Sequence, residues 1–497
     1  MRFVRITGGV LLLLALSSTG LLASGFENTG LGTTARGMGG AFRSVADDWS
    51  AAYYNPAGYA FIVDEHLGAS IGFVHLRNEV TPDFQSTDGF GNEYSWGFVN
   101  GRSIYNYHQI LNNPAAGLVL RLPVWGETVF GFSVYQPFDY SIGWEFYSPQ
   151  AADFTAYNDS ITDYPGNNFK NDLDVVAFQL TASREFSEDG LSLGIGLQLL
   201  RADLLFSDLT LRENPRPYPY SQRPRDRIPE FSKNEGRGWG FGIRAGLLYK
   251  VNEKMSLGLT AYYPSEITVK GDAYFSYYLP LSTELLRDAN ITSIDRIFVS
   301  GGVFGLTSEY ETKLKLPPSM AIGLSYQATE KLLVSVDAEY TVWSQYEGFE
   351  FTYSQFEGFK SDDNPDDDHR TEADFFTADL SNPVDWDNTI KAALGIRYEW
   401  VEALTLVAGG SFDQSPADGS TEITPHFVDT GDKLGLNLGG ILHVNQWDVG
   451  VTVSYIDYPD LDLEGLTEVT GDDKFDNFPG SYKASTYETI VSLGYRF

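Results

Sequence analysis

The sequence predicts an all-β protein, a closed barrel of 14 antiparallel strands that crosses a bacterial outer membrane. Three observations support this fold class. From Glu65 onward, apolar and polar residues alternate along segments of roughly 10 to 20 residues, as in strands with one lipid-facing side. The connections between these segments are alternately short and long. The chain ends on an alternating strand whose last residue, Phe497, is aromatic, as in other outer-membrane barrels.

The connections set the number of strands. Six are short, at 125–127, 187–190, 252–254, 329–330, 401–402 and 445–446. Seven are long, at 77–114, 147–171, 207–234, 278–312, 347–387, 413–430 and 458–485. These connections join 14 strands. An even number of strands with every second loop short is typical of outer-membrane barrels, which place the short turns on the periplasmic side.

The alternation assigns the two faces of each strand. On the eighth strand, Met320, Ile322 and Leu324 share one face, while the small or polar residues Ala321 and Ser325 share the other. We expect the apolar face to meet lipid and the small polar face to line the lumen. The same parity directs four charged side chains inward: Asp337, Glu339, Lys391 and Arg397. These charges either pair with neighbouring strands or the N-terminal segment, or stay solvated in the lumen.

Residues 1–23 predict a signal peptide. Arg2 and Arg5 precede an apolar run over 9–22, and small residues then offer cleavage after Ala23 or Gly25. The chain has no cysteine, which fits an envelope protein held by a closed hydrogen-bond network rather than by disulfides. Its formal net charge of −33 argues against nucleic acid as a partner, because the chain would not neutralise phosphates.

A glycine-rich stretch follows the signal peptide. It does not alternate like a strand, and its helical pieces are too short to be stable alone in water, so the rest of the chain has to hold it. Taken alone, Asn55 and Pro56 fit a helix start, with Asn55 as the cap. The stretch contains Gly37-Met38-Gly39-Gly40-Ala41, Ala46-Asp47-Asp48 and Asn55-Pro56-Ala57-Gly58.

These three motifs, in this order after a signal peptide, resemble the N-terminal hatch of the outer-membrane long-chain fatty acid transporter family, FadL and its aromatic-hydrocarbon relatives. Further landmarks in the family's order are Leu316-Pro317-Pro318-Ser319-Met320, Trp343-Ser344-Gln345-Tyr346, Phe412-Asp413-Gln414-Ser415-Pro416 and Gly494-Tyr495-Arg496-Phe497. The resemblance implies that residues 24–64 form a hatch with short helices inside the lumen and that residues 65–497 form the barrel. It also implies transport of hydrophobic small molecules.

The fourth long connection is too apolar for a loop left in water. The resemblance implies that it forms a ligand capture surface outside the barrel. The alternative is that this loop folds over the barrel as a small core of its own. The candidate capture residues, spaced roughly as on a helix, are Leu281, Leu285, Leu286, Ile294, Ile297 and Phe298.

The third strand is interrupted at Gln136-Pro137-Phe138-Asp139. Because proline cannot donate to the ladder, a strand inside a closed barrel has to be kinked or bulged at this point. The resemblance places the family's kinked strand and its lateral wall opening here. The alternative is an ordinary proline near a strand end.

Two positions bear on carboxylate recognition. The resembling family has a lysine shortly after its Trp-Ser-Gln stretch, where this chain has Glu350. Arg201 roughly matches the family's other basic contact, but its parity with Leu197 and Leu199 directs it outward unless a bulge intervenes. This departure favours a neutral hydrophobic substrate. Long-chain fatty acids, alkanes and aromatic hydrocarbons all stay open.

The sequence shows no catalytic or metal-binding pattern, so we expect a protein that is not an enzyme and has no cofactor. No two of its six histidines lie at metal-ligand spacing, and no nucleophile elbow is present. The acidic stretch 362–368 either binds a divalent cation or is a solvated loop. The segment 212–229, rich in arginine and proline, is expected to contact lipopolysaccharide phosphates or attract a carboxylate.

Together, these patterns predict an integral, monomeric protein of the bacterial outer membrane that takes up hydrophobic small molecules passively through a barrel gated by its hatch. Its expected partners are the ligand, membrane lipid and lipopolysaccharide. The alternative is a barrel of the same fold whose loops bind a protein partner in secretion or assembly. The sequence disfavours a general diffusion porin, because the hatch would fill the lumen.

Overall fold

A computed structural model gives the structure of the protein. The predicted signal peptide, the acidic stretch 362–368 and most of the arginine-rich segment lie outside the residues that it describes. Within the described ranges, no helix is both long and apolar enough to cross a membrane. The described residues are 25–28, 30–83, 85–87, 93–95, 101–106, 110–121, 128–145, 169–186, 190–213, 227–279, 281, 283, 285–288, 296, 298–357, 376, 379–417, 426–428, 430–463 and 479–497.

Fourteen strands of the described chain form a closed antiparallel barrel, which confirms the predicted fold. Each strand pairs with its neighbours in chain order, and β14 closes the ring on β1. The strands are β1 His66–Pro82, β2 Ile110–Arg121, β3 Val129–Trp144, β4 Phe169–Glu185, β5 Leu191–Glu213, β6 Arg227–Asn252, β7 Met255–Pro264, β8 Ser319–Thr329, β9 Leu332–Thr341, β10 Thr389–Val401, β11 Leu404–Asp413, β12 Lys433–Val444, β13 Trp447–Asp457 and β14 Gly480–Arg496.

The outer face of the barrel is apolar, as the alternation predicts. On β8, the side chains of Met320, Ile322 and Leu324 are 69%, 49% and 45% exposed, while those of Ala321 and Ser325 are buried against the interior. Such a row of exposed apolar side chains around a closed wall is stable in lipid and unfavourable in water. The apolar band therefore marks the membrane-spanning part of the wall.

The wall beyond β7 differs from the prediction. The alternation predicts a seventh strand that continues to residue 277, but β7 ends at Pro264, whose nitrogen cannot donate to the ladder. The segment Ile267–Tyr278 forms a separate strand, which pairs with the first half of β6. An outer sheet continues from it through Val303–Leu314, Gly348–Glu357 and Leu380–Pro383. The 26 residues of β6 therefore serve both the barrel and this outer sheet.

The hatch, described from residue 25 onward, lies inside the barrel. Its regular elements are α1 Thr33–Gly37, α2 Ala51–Tyr54 and a 3-10 turn over Pro56–Phe61. Wall glycines let it approach closely: a Cβ at Gly194 would collide with the backbone of Pro56 and Ala57. The small inward-facing residues of the strands therefore make room for a packed hatch rather than for a water channel.

Candidate functional site

Two inward charges on β9 hold the middle of the hatch. Asp337 Oδ2 accepts hydrogen bonds from the backbone N–H groups of Phe42 and Arg43, both at 2.9 Å. Glu339 forms an ion pair with Arg43 and accepts a 2.9 Å hydrogen bond from Ser319 Oγ. The two carboxylates are only 2% and 5% exposed. In so dry a site, charge-assisted hydrogen bonds are strong and the loss of one partner is costly.

The two inward charges on β10 reach other parts of the hatch. Lys391 Nζ lies 3.1 Å from a carboxylate oxygen of Glu27 and 3.5 Å from one of Asp413 on β11. Arg397 pairs with Asp47 at 2.6 Å, where the carboxylate is 42% exposed. All four inward charges named from the sequence thus lie against hatch residues, two in its middle, one near its beginning and one at a wetter edge.

A further ion pair joins α1 to the wall and was not predicted. Arg36 Nε lies 2.6 Å from Glu488 Oε2, and both side chains are buried. The two residues are 452 positions apart in the sequence, and no local pattern links them. The alternation along β14 places Glu488 on the lumen face, and this is the only sequence feature that indicates a contact with the hatch.

The motif that begins at Asn55 attaches the hatch to the wall. Asn55 Oδ1 caps the following turn by accepting from the backbone N–H of Ala57 at 3.1 Å, while Nδ2 donates to the Leu247 backbone oxygen on β6 at 3.0 Å. The Ala57 carbonyl accepts from the hydroxyls of Ser183 and Ser192, at 3.0 and 2.9 Å. The motif therefore acts as a fixed anchor on β4, β5 and β6.

Strand β3 is bulged where the proline interrupts it. The pairing of β3 with β4 shifts register between Tyr135 and Phe138, so that Gln136 and Pro137 together oppose a single residue, Val176. Two residues against one is the arrangement of a β-bulge, which bends the strand and leaves ladder groups unpaired.

The first residues of the hatch pair with the bulged part of β3. The backbone N–H of Asn28 donates to the Pro137 carbonyl at 3.0 Å, and that of Asp139 donates to the Phe26 carbonyl at 3.2 Å. Asn28 Nδ2 adds a 3.0 Å hydrogen bond to the Gln136 carbonyl. Residues 26–28 thus behave as a short strand added to an edge of β3.

Residues 26–28 can pair with this edge because β2 leaves it. Pairing between β2 and β3 runs from Arg121 opposite Val129 to Ala116 opposite Val134, and no further pairing occurs between the described residues of these two strands. Residues 110–115 pair with β1, and residues 138–144 pair with β4. We call the stretch between 110–115 and 135–144 the wall opening. A cavity of about 110 Å³ lies against it, lined in part by Phe26, Leu111, Asn113, Tyr140 and Phe427.

The ring of Phe26 lies among four other aromatic side chains beside the wall opening. Its centroid lies 5.7 Å from Phe138, 4.9 Å from Trp343, 5.0 Å from Tyr346 and 6.0 Å from Trp386, mostly edge to face. We call the four residues around Phe26 the aromatic cage. All four and Phe26 itself are nearly fully buried, so the cage is a dry, apolar site that is occupied by the chain's own phenylalanine.

A short segment of the sixth long connection covers the cage. Phe427 stacks on Tyr140 at 4.8 Å and contacts Trp386 at 4.4 Å. His426 is buried beside it, and its Nε2 lies 2.8 Å from the Ser207 carbonyl, which accepts the proton of the neutral ring. Burial lowers the pKa of His426, so the histidine is neutral when the segment is closed.

We expect this cover to loosen in acid. Since the folded pKa of His426 lies below its unfolded value, the closed segment loses stability as pH falls below about 6.5, where the open form gains a proton first. Hydrogen exchange of residues 426–428, corrected for the intrinsic pH dependence of exchange, should rise between about pH 7.5 and about pH 5. His426→Gln keeps a donor for Ser207 and should abolish the pH dependence; an unchanged pH dependence in this variant would assign it to another group.

The apolar loop residues form a core rather than a free surface where they are described. Phe298 is fully buried and stacks on Phe376 with 5.2 Å between ring centroids, so its ring offers no collecting surface. Leu286 packs partly buried against the same core, and Leu281 bridges to Ser300. This is the alternative that the sequence left open. The part of the chain that the structure describes does not include Ile294, Ile297 or the side chain of Leu285.

Neither Arg201 nor Glu350 reaches the interior. Arg201 lies on the outer face of β5, with Nε 2.7 Å from Asp203, because the unbroken alternation carries it to the same side as the lipid-facing Leu199. Glu350 is exposed on the strand Gly348–Glu357, whose neighbouring Phe349 points inward. The polar contacts proposed from these two positions therefore do not lie in the lumen.

The arginine-rich and the acidic loops are described only near their ends. Arg212 pairs with Glu230 at 3.0 Å, and residues 214–226 and 358–375 lie outside the description. Among the residues that are described, no group of three histidine, aspartate or glutamate side chains is placed to hold a metal ion.

Comparisons with known sequences agree with this architecture. A family model described as outer membrane protein transport protein (OMPP1/FadL/TodX) matches residues 14–497. Outer membrane protein P1 of Haemophilus influenzae is 24% identical over 263 residues, 50% of this chain and 48% of the relative. The 47 kDa outer membrane protein of Pasteurella multocida is 25% identical over 188 residues, 38% of this chain and 37% of the relative. The chain thus spans half or less of these relatives' length.

Solved structures share the fold. A FadL homologue from Pseudomonas aeruginosa superposes with a TM-score of 0.68 at 16% identity, covering 96% of this chain and all of the other. The toluene transporter TodX of P. putida gives a TM-score of 0.64 at 16% identity, covering 94% and 99% of the two chains. At these identities the likeness is one of fold.

Proposed function

Because this chain belongs to the OMPP1/FadL/TodX family of outer membrane transport proteins, we propose that it takes up hydrophobic small molecules passively across the outer membrane. One observation carries the proposal. Residues 26–28 of the hatch are hydrogen-bonded to the edge of β3 that β2 has left, at the wall opening, with Phe26 inside the aromatic cage. A movement of these few residues empties an apolar site and uncovers a lateral exit at once.

The route follows from the solubility of the ligand. Moving an apolar molecule from water into the cage or into lipid lowers the free energy by about 25 cal/mol for each Å² of apolar surface removed from water. Contact with the charged hatch anchors gives no such stabilisation. The molecule therefore leaves sideways through the wall opening while Asp337 and Glu339 keep the rest of the hatch in place. Gating is local, and the lumen stays closed to water throughout.

The substrate classes to compare are long-chain fatty acids and aromatic hydrocarbons, since a toluene transporter has the same fold. We further propose that the protein works as a monomer in contact with membrane lipid and lipopolysaccharide. In support, β14 closes the barrel on β1 of the same chain, and the lumen is filled by the chain's own hatch.

Deleting Pro137 should abolish uptake. The deletion leaves Gln136 alone opposite Val176, restores an even register between β3 and β4, and removes the bulge that bends β3 away from β2. Uptake of a labelled long-chain fatty acid and a labelled aromatic hydrocarbon is measured in cells that lack their own transporter. We expect wild-type protein to move at least one compound, and the deletion variant to fall to the level of cells with an empty vector.

Heat-modifiable migration of the barrel, measured on the same membranes, controls for assembly. A deletion variant that assembles and transports normally would remove the wall opening from the mechanism. If a correctly assembled wild-type barrel moves neither compound, the transporter proposal fails, and the alternative of a protein-binding barrel in secretion or assembly takes its place.

A further inference from the structure

The wall opening has an acidic side on β3 and β4. Asp139, which follows the bulge of β3, lies directly opposite Asp174 of β4, and Ser141 lies opposite Asp172. Like charges directly opposite each other on neighbouring strands are unfavourable. The charges that act on the Asp139 carboxylate are those of Asp174 and Asp172, and both are negative. A cation beside Asp139 would therefore stabilise its charged form.

The chain supplies cations to the next carboxylate in the same row. Asp203 of β5, which lies opposite Asp174, pairs with Arg201 at 2.7 Å and also with Arg237. Among the described residues, no basic side chain forms an ion pair with Asp139. The described part of the chain therefore balances the charge of Asp203 and leaves that of Asp139 unbalanced.

The cavity at the wall opening has an excess of negative charge. Four of the described side chains that line it are charged: Glu27, Asp139, Asp413 and Lys433. Lys391 pairs with Glu27 at 3.1 Å and with Asp413 at 3.5 Å. Lys433 Nζ lies 5.4 Å from the ring centroid of Tyr458. Even with Lys391 included, three carboxylates face two ammonium groups.

Two unsatisfied acceptors line the same cavity. Asn113 Oδ1, on the β2 side, and Ser141 Oγ, on the β3 side, have no hydrogen-bond partner among the described residues. Their residues are only 5% and 2% exposed, and a buried polar atom without a partner is unfavourable. With the Asp139 carboxylate, the cavity thus presents three acceptors for which the described chain provides no donor.

This cavity adjoins the gating residues and the aromatic cage. The backbone N–H of Asp139 donates to the Phe26 carbonyl, and Phe26 lines the cavity while its ring lies inside the cage. A ligand that replaces the Phe26 ring would therefore have its apolar part in the cage and its polar end in the cavity. A carboxylate in that position would meet the like charge of Asp139.

We propose that the cavity at the wall opening binds a primary ammonium group, and that the protein favours apolar molecules with an amino group over carboxylates. A primary ammonium donates three hydrogen bonds and accepts none, which matches the acceptors of Asp139, Asn113 and Ser141. Its charge balances that of Asp139 and makes the hydrogen bond to this carboxylate a strong one. The inference rests on the transport function proposed above and names the substrate class.

The test compares a labelled primary amine, alcohol and fatty acid of equal chain length. Binding to the purified full-length protein is measured in an uncharged detergent at about pH 8, where the amine is protonated. Wild-type protein should bind the amine at least about 10-fold more tightly than the acid. Asp139→Asn should weaken binding of the amine by about 10- to 100-fold and of the alcohol by less than about 3-fold. Asp272→Asn removes the same charge from an exposed position of the outer sheet and should alter none of the three.

Several results would overturn the proposal. Equal losses for amine and alcohol in Asp139→Asn would give Asp139 a structural role, and an equal loss for the amine in Asp272→Asn would assign the effect to the overall negative charge. Wild-type protein that binds the alcohol or the acid more tightly than the amine would refute ammonium recognition and leave the transport function standing. Wild-type protein that binds none of the three would refute both.

Heat-modifiable migration shows whether each variant is folded. If Asp139→Asn does not assemble, Ser141→Ala removes another acceptor of the cavity with a smaller change. It should weaken binding of the amine by about 3- to 10-fold, as expected for one lost hydrogen bond, and leave binding of the acid less affected. Unchanged binding of the amine in this variant would contradict the proposed site.

Discussion

Replacing Asp337 with alanine is expected to release the hatch and make the barrel permeable to ions. The change removes the acceptor of two hatch backbone N–H groups and one of the two partners of Arg43, all in a buried site. Breaking a buried ion pair from one side typically costs about 3–5 kcal/mol, because the remaining charge stays uncompensated. That is a large share of the free energy that holds so small a segment.

Planar bilayer recordings measure this effect directly. The wild-type barrel should show almost no steady current, while Asp337→Ala should show a persistent conductance, and cells that carry it should become sensitive to a large hydrophilic antibiotic. Asp47→Ala is the matched control. It breaks the pair with Arg397, where the carboxylate is 42% exposed, and such pairs contribute roughly 0–1 kcal/mol. An Asp337→Ala barrel as tight as wild type would place the hatch's stability elsewhere.

The barrel was predictable because each strand carries its own evidence. The period of two in the run around Met320 to Ser325 identifies strand, lipid face and lumen face together, and the sequence lengths between such runs count the strands. Pro137 could be interpreted for the same reason, since the effect of a proline on a ladder is local. Pro264 has the same chemistry and ends β7, but the apolar alternation that resumes after it concealed the break.

The hatch contacts could not be predicted, because they join residues that no local pattern relates. Alternation places Arg244 on the inner face of β6, but whether it meets a carboxylate depends on how the hatch packs against that part of the wall. Among the described residues, Arg43 pairs with two carboxylates and Arg244 with none, although both lie in glycine-rich surroundings in the sequence. Phe298 shows the same limit: its apolar character was evident, but not the Phe376 ring that buries it.

A disulfide between hatch and wall opening is expected to stop uptake reversibly. Glu27 and Phe138 are directly opposite each other in the short antiparallel pairing of hatch and β3. Residues opposed in this way have Cα atoms about 4.5–5.5 Å apart, which is within the range of a disulfide. The chain has no cysteine, so Glu27→Cys with Phe138→Cys forms one defined bond in the oxidising periplasm. If residues 26–28 have to leave β3 for transport, the oxidised protein should take up no substrate.

Two comparisons separate gating from damage. Reduction should restore uptake to that of the unlinked double variant, which carries the same lost Glu27 and Phe138 side chains. A second disulfide, Thr33→Cys with Ser492→Cys, replaces two hydroxyls that lie 2.6 Å apart and ties α1 to β14. It should leave uptake intact, since the proposed movement is confined to the first residues of the hatch. Loss of uptake in this second pair would instead mean that the hatch moves as a whole, and that the anchors at Asp337 and Glu339 break during transport.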